Sequence, residues 1–109
     1  MFLEESEVAS SRLHHELETT IRTVNRELMS VATGPITRHA LTNVTRMVAT
    51  LRGRYLQCAL RLSDASSSGP VGPEAVLELR PLREAYTEAI EAFAALEHAL
   101  QRGYVSLED

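Results

Sequence analysis

The sequence predicts an all-α protein, an antiparallel up-down-up bundle of three long helices at approximately residues 4–32, 36–62 and 74–102. Three observations carry that expectation. Apolar residues recur at alternating spacings of three and four along most of the chain, the signature of amphipathic helices that pack on one another. Leu and Ala dominate the apolar set, and β-branched residues do not gather in short alternating runs. The clearest punctuation falls in two places, Gly34-Pro35 and the Ser/Gly/Pro-rich stretch 63–73, which divides the chain into three helix-length pieces.

The first segment has its seam at Leu13, Leu17, Ile21, Val24, Leu28 and Val31, with Phe2 and Leu3 extending it toward the N-terminus. Its opposite side holds Glu5, Arg12, His15, Glu16, Arg22, Arg26 and Met29. Gly34 supplies a left-handed helix cap, and Pro35 suits entry into the next element. So short a connection folds the second helix back antiparallel to the first.

The central segment carries the most regular stripe: Leu41, Val44, Val48, Leu51, Tyr55, Cys58 and Leu62. Leu56 and Leu60 stand off that arc and offer a second apolar side. Gly53, inside the helix, costs up to about 1 kcal/mol relative to Ala, which either the close approach of a neighbouring helix or simple tolerance would explain. The loop 63–73 is long and polar enough to be flexible, a linker within one domain spanning residues 1–109. Ser66, Ser67 and Ser68 within it read as solvated spacer.

In the third segment Pro81 implies either a short helical turn at 74–80 before the main helix or one kinked helix. The stripe Leu79, Leu82, Tyr86, Ala89, Phe93, Leu96 and Leu100 keeps its rhythm through Pro81, so a helix kinked near Pro81 is expected. Beside it runs a seam of small residues, Ala85, Ala89, Ala92 and Ala99. With Leu56 and Leu60, these four form the candidate interaction surface. A homo-oligomer, most simply a dimer, follows as an expectation. One variant is a two-helix hairpin with the remaining helix packed across the dimer interface. Gly103 is the expected cap, and the tail from Tyr104 trails or docks locally.

Charge divides with the helices. Residues 1–27 hold three Arg against six acids (net −3), residues 28–63 five Arg alone (+5), and residues 64–109 three Arg against nine acids (−6). A basic helix between two acidic ones favours the intended pairing order over its alternatives. Inter-helix Arg–carboxylate pairs are expected, each exposed one contributing on the order of 0–1 kcal/mol. Arg38, Arg46, Arg52, Arg54 and Arg61 also make a candidate basic surface for nucleic acid. The net charge of −4, the lack of basic tails and the spread of these Arg around the helix argue against that use. All 11 basic residues are Arg, a usage that suits a GC-rich bacterial genome.

No catalytic, cofactor or metal constellation emerges. His14 and His15 are adjacent and point about 100° apart on a helix, so they cannot act as an i, i+4 ligand pair. His14 and Glu18 have that spacing but are only two ligands, while His39 and His98 are isolated. The single Cys, Cys58, lies on the apolar stripe, where a thiol behaves as a small hydrophobe. Gly69 and Gly72 lack the Lys that a phosphate loop requires, and Asn43-Val44-Thr45 falls inside a helix. With no signal peptide and no membrane-length apolar run, a cytoplasmic location is expected. The function these features imply is protein–protein interaction by a small non-enzymatic helical protein, adaptor-like, chaperone-like or structural. A nucleic-acid-associated regulator is the alternative.

Overall fold

The computed structural model describes residues 2–109, with side chains from Glu4 onward, so the expected seam contributions of Phe2 and Leu3 lie outside the described side chains. The fold is all-helical, with three long helices. Helix α1 spans Phe2–Thr33 (32 residues), α2 Arg38–Ser66 (29 residues), the single turn α3 Pro73–Val76, and α4 Leu79–Gln101 (23 residues).

The chain forms two compact units, Met1–Thr37 with His98–Asp109, and Arg38–Glu97. In the second unit, partners descend along α2 as they ascend along α4. Arg61 meets Glu78, Tyr55 and Arg52 meet Tyr86, and Val48 shares a groove with Ile90 and Phe93. The two helices are therefore antiparallel. Val48, Cys58 and Ala89 are buried between them, and the rest of the predicted α2 stripe is half-buried.

The third helix bends at Leu77–Glu78 rather than at Pro81. Pro73 opens α3 after an extended Gly72, a position where a missing N–H costs nothing. Two turn residues follow, and α4 begins at Leu79. Pro81 thus falls in the first turn of α4, where the first four N–H groups have no intrahelical acceptor in any case. The break lies just far enough upstream to remove Pro81's conflict with the helix.

In the first unit, Gly34 (φ 63°) ends α1 with its N–H donating to the Ser30 carbonyl at 2.9 Å, a left-handed cap. Gly103 (φ 73°) ends α4 in a Schellman turn, in which Tyr104 N–H donates to Ala99 O at 2.9 Å and Gly103 N–H to Leu100 O at 3.2 Å. That turn directs the tail onto the linker after α1. Ile36 N–H donates to Ser106 O at 3.1 Å, and Glu108 N–H donates to Ile36 O at 2.7 Å, a parallel bridge of Ile36 with Leu107. Ile36, Ala99, Tyr104 and Val105 are all buried. Ile36 therefore belongs to this bridge and not to the central helix, which starts two residues later, after Thr37, a residue type suited to the N-cap. At its other end α2 runs four residues past Leu62, and the Ser66 and Ser67 hydroxyls donate back to the Ser63 and Asp64 carbonyls.

The face of α1 that packs in this unit is the one expected to be polar. Asn25, Met29 and Ser30 are half-buried, and Arg26 Nε donates to Gly103 O at 3.2 Å. Every residue from Glu4 to Val24 is exposed. Thr19, Thr20 and Thr23 donate to carbonyls four residues earlier, back-bonds made within the helix itself.

The two kinds of glycine predict opposite outcomes. A Cβ at Gly53 would meet nothing within 4 Å, so no neighbouring helix approaches there, and Gly53→Ala raises stability by up to about 1 kcal/mol. Gly103→Ala forces a side chain into left-handed backbone and lowers stability by about 1–2 kcal/mol. Chemical denaturation of both variants against the parent measures the pair.

Candidate interaction surface

The residues singled out from sequence differ in exposure. Leu56 and Leu60 are exposed, at 53% and 68%, as is Ala92. Ala85 is half-buried, while Ala89 and Ala99 are at 6% and 2% and already committed to contacts within their own units. Small residues at those two positions serve close packing inside the chain.

The five Arg of the basic surface are all exposed, but not all are at liberty. Arg52 Nε donates to the Tyr86 hydroxyl at 3.0 Å, and its guanidinium carbon lies 5.4 Å from the Tyr86 ring centre. Tyr86 in turn meets Tyr55 at a centroid distance of 6.2 Å. Arg61 Nη2 bonds Glu78 Oε2 at 3.0 Å and reaches Cys58 Sγ at 3.5 Å. The Glu78 hydrogen bond, then the one to Cys58, holds the Arg61 guanidinium above its ordinary range. Arg102 is raised likewise, first by its hydrogen bond to Tyr104. The Arg52 and Arg61 guanidinium groups are thus oriented by protein partners rather than presented to solvent for phosphate.

Among the described residues no three or more His, Cys, Asp or Glu side chains stand close enough to hold a metal ion. His14 Nε2 lies 3.7 Å from Glu18 Oε1, an exposed pair one turn apart. His98 meets Tyr104 edge-on at 6.1 Å. Cys58 is a buried free thiol, and Glu97 is exposed. No described helix is long and apolar enough to cross a membrane. A groove of about 260 Å³ between α2 and α4, lined by Thr45, Val48, Ala49, Arg52, Ile90 and Phe93, is apolar and shallow. It holds no convergent set of polar groups around which chemistry would be organised.

The largest unpartnered feature is the seam of α1. Leu13, Leu17, Ile21, Val24, Leu28 and Val31 are exposed at 57%, 52%, 49%, 45%, 66% and 85%. The sequence marks this seam clearly but assigns it to a core. Conversely, the burial of Ile36, Tyr104 and Val105 escapes sequence reading, although a Tyr directly after a capping Gly is a usable sign of a Schellman turn with its apolar contact. Comparison of the chain with protein-family models, with curated proteins and with solved structures gives no match.

The contact between Arg52 and Tyr86 ties the middle of α2 to α4. In a double-mutant cycle, Arg52→Ala and Tyr86→Phe should show a coupling of about 0.5–1 kcal/mol in unfolding free energy. Additive effects would mean that the pair makes no joint contribution.

Proposed function

We propose that this is a small non-enzymatic protein of bacterial origin that acts in the cytoplasm by binding protein through its helix surfaces, in an adaptor, chaperone-like or structural role. One observation carries the reading: α1 presents an apolar seam at helical spacing on a stretch in which every residue from Glu4 to Val24 is exposed. An amphipathic helix owes most of its stability in water to packing of the apolar face, and contiguous apolar patches on monomers mark interaction sites. Leu56 and Leu60 add a smaller patch on α2.

A photocrosslinking residue in place of Leu17 or Leu28 tests this in cells that make the protein. Adducts to polypeptide are expected from both positions, and few from the same residue placed at Arg22 on the opposite face. Adducts to nucleic acid would favour the arginine-based regulator instead, and no adducts from the seam would remove the protein-binding reading.

A further inference from the structure

We infer that the α1 seam is an interface between copies of this chain, in which α1 of one copy pairs with α1 of a second along Leu17, Ile21, Val24, Leu28 and Val31. The inference rests on the protein-binding reading and names its partner. Spacings of four, three, four and three put Ile21 and Leu28 at heptad a positions and Leu17, Val24 and Val31 at d, the pattern that seats one helix against another of the same period. A globular partner with a shaped pocket needs no such repeat. A second α1 supplies the identical repeat.

The flanks agree. In this register Glu18, Asn25 and Ala32 occupy e, and Leu13, Thr20 and Glu27 occupy g. Two helices paired in parallel and in register would set Leu13 against Glu18 of the second copy, Thr20 against Asn25, and Glu27 against Ala32. No like charge opposes another, so self-pairing meets no electrostatic veto. Arg12, Arg22 and Arg26 fall at f, b and f, away from the seam. Arg26 is already engaged with Gly103, and the half-buried Met29 lies at b. The contacts α1 makes within its own unit therefore centre on the reverse side and touch the flank of the seam at the half-buried Asn25, while the a and d side chains themselves stay exposed.

Area is sufficient as well. Burying a Val, Leu or Ile side chain removes on the order of 100 Å² from water, so the six seam residues, 45–85% exposed, offer roughly 350 Å² per chain. A symmetric pair doubles that, and the flanking e and g side chains bring the total near the ~1,200 Å² at which specific interfaces begin. The seam extends over about 27 Å of helix from Leu13 to Val31, so the pairing is reversible and concentration-dependent rather than obligate.

Sedimentation equilibrium of the full chain over a concentration series is the test. The mass is expected to rise from 12.1 kDa toward twice that value, with helicity by circular dichroism falling on dilution. Ile21→Glu and Ile21→Lys each remain near the single-chain mass. Because either variant alone could act by loosening α1, the two are also mixed in equal amounts, and recovery of the doubled mass shows pairing across copies. Leu56→Asp with Leu60→Asp leaves association intact. A parent protein that stays at 12.1 kDa throughout overturns the inference, as does association lost on changing Leu56 and Leu60 but not Ile21. Seam adducts to a different polypeptide, with a single-chain mass, would sink self-pairing yet keep the protein-binding reading. Absence of both would end both.

Discussion

An amphipathic helix is stable only where its apolar face is covered, and that requirement governs each part of this structure. The segment Arg38–Glu97 meets it with a hairpin: α2 and α4 run antiparallel, with Val48, Cys58 and Ala89 buried between them. The ends of the other unit meet it with a turn and a tail. There the Schellman turn at Gly103 leads into the buried Tyr104 and Val105, and the backbone bonds that join Ile36 with Ser106 and Glu108 fix the register. The long middle of α1 does not meet it at all. Its leucines sit in the right rhythm and face solvent.

The charge partition reads differently once distances are known. A basic helix flanked by acidic segments suggests ladders of Arg–carboxylate pairs. Arg61 pairs with Glu78 at the bend before α4, and both side chains are more than half exposed. Arg80 with Glu84 and His14 with Glu18 lie within single helices. Arg52, the central cation of α2, takes an aromatic partner instead of a carboxylate. Exposed ion pairs add little to stability. Any contribution of the partition to helix order therefore comes from the summed field of whole segments, and packing at Val48, Cys58 and Tyr86 sets the register of the hairpin.

Local periodicity made the helices legible. The stripe from Leu41 to Leu62 faces α4 as its spacing predicts, because a 3.5-residue rhythm leaves no other helix face able to bury those side chains. The glycines Gly34 and Gly103 were equally legible, since left-handed caps are a local matter of a missing Cβ. Contacts set by residues far apart in sequence were not. Nothing near Ile36 announces that it pairs with Leu107, and nothing near Met29 announces that it lies on the packed side of α1. The bend illustrates the same limit: Pro81 marks that a break is needed, but Gly72-Pro73 and a two-residue turn decide where it falls. For the candidate surface, sequence supplied the seam of α1 and misassigned what covers it, since a heptad stripe looks the same whether its partner is in the chain or outside it.

That ambiguity has a physical resolution in how α1 is anchored. The unit that holds its C-terminal end grips it from the reverse side, through Arg26 on the Gly103 carbonyl and through the half-buried Asn25, Met29 and Ser30. Had Leu28 been turned toward the tail instead, the seam would have been partly covered, and a polar face rich in Glu and Arg would have been left to solvent at no cost. Leu28 at 66% and Val31 at 85% exposure, so close to the anchor, show the opposite choice. The backbone bridge and the two glycine caps hold that choice in place, since rotating α1 about its axis would break the Arg26 contact and unseat Met29. The rotation of α1 is thus set by hydrogen bonds and caps at its end, while its apolar stripe is left to be stabilised by whatever helix meets it.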